Sequence, residues 1–230
     1  MDYSNTTVII PTLNEEKNIN KLIDLIVKLY PGINIIVADD GSNDQTQAIV
    51  RNLNKRNKKI TLMDRSNEKI HGLCASVIDA AMQTKTENMV SIDGDFQHPP
   101  EKIKEIVEKL NYADIVIGNR EKVMSKWPLR RKLISKIATI LAKARLQMKG
   151  TIVKDPMSGF FGIRTKLMKS IIQKNGNKFE KKGYKILFDC LKYSPKVKVS
   201  NVNYIFGLRK SGTSKISGRI IWLFLKSVFR

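Results

Sequence analysis

Strand-like and helix-like segments alternate through the first 118 residues, and the strand-like segments are predominantly apolar rather than alternating apolar with polar. Short runs occur at 7–10 (TVII), 33–38 (INIIVA), 60–63 (ITLM), 89–92 (MVSI) and 115–117 (IVI). Between them stand segments with apolar residues at helical spacing, as in Ile19, Leu22, Ile23, Ile26 and Leu29. A strand that is apolar on both faces needs cover on both faces. The pattern therefore predicts an α/β fold with a mostly parallel central sheet and helices on each side. In such sheets ligands gather at the carboxyl ends of the strands, so the residues following each strand are where chemistry is expected.

Those residues are polar. The first strand runs into Pro11, Thr12, Leu13, Asn14 and Glu15. The second runs into Asp39, Asp40, Gly41 and Ser42, the fourth into Asp93, Gly94 and Asp95, and the fifth into Gly118, Asn119 and Arg120. Neither GxGxxG nor GxxxxGK[ST] is present, which argues against a dinucleotide-binding dehydrogenase and a P-loop nucleotidase. Two carboxylates one residue apart, Asp93 and Asp95, suit a hard divalent cation, magnesium or manganese, bridging the phosphates of a nucleotide diphosphate. Asp40, at a strand end, is placed to accept hydrogen bonds from a base or ribose, with Pro11 and Glu15 flanking the same nucleoside. Asp44 reads as a helix cap or turn residue. His98, beside the acidic motif, is expected to support it or shape a turn rather than to catalyse.

Charge divides the chain. Residues 1–115 hold 14 basic and 17 acidic side chains, a balance of −3; residues 116–230 hold 28 basic and 4 acidic, a balance of +24. The second half therefore expects a polyanionic partner: nucleic acid, an anionic membrane face or phosphate-bearing substrates. No nucleic-acid-binding motif with interleaved aromatics accompanies the charge, so no nucleic-acid partner is expected. In the same half a helix is predicted over 129–149 with Leu133, Ile137, Ile140 and Ala144 on its apolar stripe. A strand is predicted over 155–163, short helices over 165–174 and 184–192, and a further strand over 197–206. Cys74 and Cys190 lack metal-ligand spacing and read as core residues in a reducing compartment. The N-terminus does not resemble a signal peptide, and the longest apolar run near the C-terminus, Ile220–Leu225, is too short to span a bilayer.

Taken together, PTLNE at 11–15, DDGSNDQT at 39–46, DGDFQHPP at 93–100 and GNR at 118–120 resemble the inverting family 2 glycosyltransferases of GT-A fold. DPMSGFFGIR at 155–164, GYKILFD at 183–189 and FGLRKSGTSK at 206–215 narrow the resemblance to dolichyl-phosphate mannose synthases. It covers about residues 7–215, which would form the catalytic domain. The resemblance implies that Pro11, Leu13, Glu15, Ala38 and Asp40 line a nucleoside pocket. It implies that Asp93, Asp95 and Gln97 surround a metal and the donor diphosphate, with Gly94 adding a backbone contact. Arg120, Arg209 and Lys215 would hold phosphates or sugar, and Arg131, Ser135 and Arg209 the acceptor phosphate. Asp95, Arg120 and Arg209 would carry the catalytic role. Leu13 departs from the aromatic residue common at its position, and Asp189 from a longer acid.

The implied reaction moves a sugar, mannose from GDP-mannose first among donors, onto dolichyl or polyprenyl phosphate. A UDP-sugar donor or a hydroxyl acceptor is the alternative. A lipid monophosphate, largely dianionic at neutral pH, needs cations rather than a general base. The QxxRW signature of processive members is absent. Residues 216–230 read as an amphipathic helix lying in a membrane interface, with Arg219, Lys226 and Arg230 opposite Ile220, Ile221, Phe224, Leu225 and Val228. The protein is thus expected at the cytoplasmic face of a membrane, as a peripheral enzyme.

Overall fold

The computed structural model describes residues 2–124, 129–208 and 218–229, with backbone alone at 129–133 and 218–221. Seven strands form one sheet: β1 (Thr6–Thr12), β2 (Asn34–Asp39), β3 (Ile60–Asp64), β4 (Asn88–Ser91), β5 (Ile115–Val123), β6 (Phe161–Arg164) and β7 (Val199–Phe206). Their order is β3-β2-β1-β4-β6-β5-β7. β6 runs antiparallel to both β4 and β5, and every other pairing is parallel. The chain reverses its direction of progress between β1 and β4, and the DGD motif follows β4 at that point.

The helices are α1 (Ile19–Leu29), α2 (Thr46–Arg56), α3 (Leu73–Gln83), α4 (Ile103–Leu110), α5 (Leu129–Gln147), α6 (Thr165–Asn175), α7 (Ile186–Tyr193) and α8 (Gly218–Phe229). Alternate residues of β1 serve opposite cores. Val8 and Ile10 pack with Ile19, Leu22, Ile23 and Ile26 of α1, while Ile9 packs with Val77 and Ala81 of α3. This double burial is why β1 carries no polar alternation.

Three sequence expectations change. The segment 155–160 is not strand; only Phe161–Arg164 pairs, because the preceding residues turn to meet the site. β5 continues through Val123, since β7 pairs with its whole length, so Asn119 and Arg120 lie within a strand rather than after one. On α5 the stripe expected to be buried faces out: Ile137 is 48% and Ile140 56% exposed, and Ala144 is exposed. Ala138, Ala142 and Leu146 turn inward instead, the small alanines letting the helix approach α7 and α8.

The C-terminal helix also departs from expectation. Phe224 and Val228 are buried in the core shared with α7, and Phe188 meets Phe224 edge-to-face at 5.6 Å. A buried polar cluster fastens the two helices. Ser227 Oγ donates to Asp189 Oδ1 at 2.6 Å, and Lys192 Nζ donates to the Ser227 carbonyl at 2.6 Å and pairs with Asp189 Oδ1 at 3.1 Å. Apolar residues expected to enter a bilayer are thus used inside the protein, because α7 offers an apolar groove with a matched acid and amine. Trp222 and Phe229 remain exposed. The remainder of the predicted tail, residues 216, 217 and 230, lies outside the described residues.

Candidate active site

The carboxyl ends of β1 and β2 are locked together by side chains. Asp39, fully buried, accepts from Thr12 Oγ1 at 2.7 Å, from the Ser42 amide at 2.8 Å and from Gln47 Nε2 at 2.9 Å. Asp40 accepts from the Gly72 amide at 2.7 Å and from the Arg65 guanidinium, and His71 Nδ1 lies 3.2 Å away. Arg65 is itself held by Asp79, Ser76 and the Ile70 carbonyl. The Asp40 carboxylate, expected to face a nucleoside, is therefore occupied in fixing the 65–72 loop. Ala38 is corrected likewise: its side chain is fully buried among Ile36, Met63 and Val77 and faces the core rather than a ligand. Pro11 pairs with Ala38 across the β1–β2 register and is partly exposed, as is Leu13.

The DGD motif is built differently at its two acids. Asp95 is buried and accepts from the Gln97 amide at 3.0 Å, whereas the Asp93 side chain is 31% exposed. A Cβ on Gly94 would meet Glu15 Cγ at 3.5 Å, an ordinary contact, so this glycine is not demanded by crowding from the protein. The same contact puts Glu15 against the motif. Phe96 adopts φ 62°, a conformation costly for a bulky residue, which lets the chain turn from Asp95 to Gln97. Gln97 ties the motif to the end of β7: its Nε2 donates to the Gly207 carbonyl at 3.2 Å, and the Gly207 amide donates to its carbonyl at 2.9 Å. Arg209 follows two residues later, but Arg209 and Lys215 lie outside the described residues, as does the Arg131 side chain on α5.

His98 supports the motif from below. Its Nδ1 accepts from the Asp93 amide at 3.2 Å, and Phe160, Tyr204 and Phe206 surround the ring. Burial pulls its pKa down to about 3, against a smaller opposing pull from Asp95. The imidazole is neutral at ordinary pH, so the 3.6 Å approach of Nδ1 to Asp93 Oδ2 is not an ion pair. Gly159 leaves little room for a side chain: a Cβ there would stand 3.2 Å from Asp93 Oδ1 and 3.3 Å from His98 Cε1, so these neighbours would have to give by a few tenths of an ångström. The glycine of DPMSG therefore permits that segment to lie directly on the acidic motif.

Arg120 connects this motif to a pocket. The β5–β7 register shifts between Arg120 and Lys122, a bulge that re-aims the side chains at this strand end. Arg120 Nε donates to Asp155 Oδ2 at 2.7 Å and Nη2 to Asp155 Oδ1 at 2.9 Å, a two-pronged ion pair. Burial raises the Asp155 carboxyl, but the hydrogen bond and charge of Arg120 outweigh it and hold the pKa below the usual carboxylate range. For Arg120 the same pair outweighs burial in the other direction and keeps it firmly charged. A pocket of about 380 Å³ opens beside the pair, lined by Arg120, Asn119, Glu121, Ser135, Lys154 and Asn203 among others. Ser135 thus stands on the same pocket as Arg120. Thr139, one turn on, spends its hydroxyl proton on the Ser135 carbonyl at 2.8 Å.

Sequence reasoning assigned no role to Asp155 or Lys185. Lys185 is half-buried with its ammonium turned inward, donating to the Met157 carbonyl at 2.5 Å. Burial and the nearby Arg120 charge draw its pKa down to about 7. A signal for Asp155 was present: it is one of only four acids in the basic half, where an acid has many cations to choose from.

Among the described residues no three His, Cys, Asp or Glu side chains converge as a metal cage. The oxygen donors of Asp93, Asp95 and Gln97 nevertheless suit a hard cation whose remaining ligands come from phosphate and water.

The sheet order, the strand-end acids and the antiparallel β6 define a GT-A glycosyltransferase. The glycosyl transferase family 2 profile matches residues 7–172, and the chain belongs to that family. It is similar to the dolichol-phosphate mannosyltransferase of Pyrococcus furiosus, with 35% identity over 97% of this chain and 62% of the relative's length. It is also similar to the dolichol-phosphate mannosyltransferase of Saccharomyces cerevisiae, with 30% identity over 99% of this chain and 86% of that one. Among solved structures, glucosyl-3-phosphoglycerate synthase from Mycobacterium tuberculosis, crystallised with Mn2+, UDP and phosphoglyceric acid, superposes with a TM-score of 0.62. It shares 21% identity and covers 97% of this chain and 78% of its own. Among the described residues no helix is long and apolar enough to cross a membrane.

Proposed function

We propose that the protein transfers mannose from GDP-mannose to a polyprenyl phosphate of the dolichyl class, with inversion. The observation that carries this reading is the pocket beside the Arg120–Asp155 pair, with Arg120 and Ser135 both on its wall. The relatives' activity supports the sugar and the acceptor. A phosphate acceptor asks for cations and hydroxyl donors rather than a base, and the described lining offers Arg120, Lys154 and Ser135. Arg131 and Arg209 are proposed to add the charge that Asp155 and Glu121 offset. Lipid attachment fits the strand ends that bear the pocket, where Val123, Met124, Ile205 and Leu208 are exposed apolar side chains.

Asp93 and Asp95, with Gln97, would hold a magnesium or manganese ion. When bound, the ion neutralises charge on the leaving diphosphate. The chain's own residues do the rest. Pro11, Leu13, Glu15 and the backbone at Ala38 and Asp40 flank the nucleoside, with Gly94 offering backbone. Arg120, Arg209 and Lys215 bring the donor phosphates or sugar and the acceptor anion together, so that an acceptor oxygen attacks the anomeric carbon as the diphosphate leaves.

An anionic membrane surface is the proposed site of work, at the cytoplasmic face. Contact is assigned to the exposed Ile134, Ile137 and Ile140 of α5, flanked by Lys136 and Lys143, and to Trp222 and Phe229 of α8. Glu121 favours a second reading, a hydroxyl acceptor, because it is a carboxylate on the pocket without the engagement that Asp155 has with Arg120. Incubation with GDP-mannose or UDP-glucose and a short polyprenyl phosphate, with and without chelator, tests both. Mass-detected mannosyl phospholipid, retained in Glu121→Gln, supports the first; no transfer to any phosphate acceptor overturns it.

A further inference from the structure

Lys185 belongs to the GYK loop, which bridges two parts of the site. At one end the Cys74 amide donates to the Gly183 carbonyl at 3.2 Å and the Ala75 amide to the Lys181 carbonyl at 3.0 Å. That anchors the loop on the start of α3, next to the Gly72 amide that binds Asp40. At the other end Lys185 Nζ reaches the Met157 carbonyl at 2.5 Å, inside the segment that carries Asp155 and Gly159. A lysine normally leaves its ammonium in water, because burying it without compensation is costly. Here the ammonium faces the charges of Arg120, Asp155 and Asp93, and Nζ itself lies over the Tyr184 ring, 4.4 Å from its centroid.

We infer that Lys185 is a positioning residue: its ammonium clamps the 155–160 segment so that Asp155 presents Arg120 to the pocket and Gly159 seats against Asp93. The other ties of the segment to the rest of the protein run to β5: the Arg120–Asp155 pair at its start and the Gly118 amide donating to the Phe160 carbonyl at 2.8 Å at its end. The Met157 amide donates to Asp155 Oδ1 at 3.2 Å, and the Ser158 hydroxyl and Phe160 bond to each other locally at 3.1 Å. These last bonds are internal to the segment; the middle of it, at Met157, is joined to the loop before α7 by the Lys185 bond. A clamp of this kind costs stability when solvated groups are stripped of water and returns it as a fixed geometry for two ion-binding side chains.

The kinetic part of the test rests on the transfer reading above; the structural part does not. Hydrogen exchange is measured on the full protein without ligands, for wild type, Lys185→Met and Lys185→Gln. In Lys185→Met the amides of 155–160 should exchange at least ~10-fold faster, while 88–92 stay protected; Lys185→Gln, which retains a donor for Met157, should lie near wild type. With sugar nucleotide and polyprenyl phosphate, Lys185→Met should lose kcat by roughly 10–100-fold with little change in the nucleotide KM, partly restored in Lys185→Gln. Unchanged exchange in Lys185→Met overturns the inference, as does intact kcat in a working enzyme. If wild type transfers nothing, the transfer reading fails, and the exchange result alone decides the clamp. If Lys185→Met does not fold, Lys185→Gln carries both measurements, with wild-type behaviour expected and loosening of 155–160 with the hydrogen bond intact counting against the clamp.

Discussion

Asp155 grips Arg120 in two parallel hydrogen bonds of 2.7 and 2.9 Å, although 35 residues separate them in the chain. The pair lies where the acidic motif after β4 and the pocket beside α5 meet. Its geometry leaves the rest of the guanidinium edge for an anionic ligand while fixing the plane of the group.

Removing the acid should damage both stability and transfer. Asp155→Ala strands a largely buried cation, with an expected loss of about 3 kcal/mol in urea unfolding. Asp155→Asn, which keeps the shape and part of the bonding, should unfold closer to wild type. Its kcat/KM should still drop on the order of 100-fold, because Arg120 is no longer held in register. Equal activity of Asp155→Asn and wild type would show that Arg120 does not depend on this partner.

Donor binding should require both the metal and the strand-end acids. GDP-mannose with manganese at ~100 times its Kd should stabilise the wild type by about 2.7 kcal/mol, seen as a rise in Tm. Asp95→Asn should fold, since an amide oxygen can still accept from the Gln97 amide, yet show no such rise. A full shift in the presence of chelator would sink the metal assignment.

His98 should make the protein acid-sensitive well above the range where carboxylates protonate. Its folded pKa of about 3 lies below the ordinary histidine value, 6.5. Between those values the unfolded chain binds a proton that the folded chain refuses. Stability is therefore highest above pH 6.5 and declines as pH falls toward 3, at up to about 1.4 kcal/mol per pH unit. Unfolding free energies at pH 6.5 and 5 check this, and His98→Phe, which keeps the aromatic packing, should flatten that interval. A wild type with no slope there would contradict the buried neutral imidazole.

The two ends of the basic half should separate packing from membrane contact. Phe224→Ala, inside the core, should cost about 3–5 kcal/mol and leave binding to anionic vesicles unchanged under native conditions. Ile137→Glu with Ile140→Glu, on the exposed face of α5, should reduce sedimentation with anionic vesicles and leave Tm nearly unaltered. The opposite pattern would move the contact from the α5 isoleucines to the Phe224 face of α8.

Ser135→Ala should raise the apparent acceptor KM several-fold and leave the donor KM unchanged, since its hydroxyl stands on the pocket and not at the DGD motif. Matching shifts in both constants would remove Ser135 from the acceptor side.

Much of this protein is written locally. Continuous apolar runs alternating with helical spacing determined the α/β sheet, because a strand covered on both faces favours apolar residues on both. The strand-end acids Asp93 and Asp95 were legible for the same reason: polar groups at the end of a buried strand need a use. Partnership was not legible. Whether Asp40 faces a ligand or Arg65, whether Arg120 is open or held by Asp155, and whether Phe224 enters a bilayer or packs on Phe188 depend on residues distant in sequence. The α5 helix makes the point most directly. Its isoleucine and alanine stripes are both consistent with a helical period, and only the closeness of α7 and α8 selects the small residues for the interior and leaves Ile137 and Ile140 outside. Periodicity is a property of one segment, whereas a charge or an apolar face is settled by what the rest of the chain brings against it.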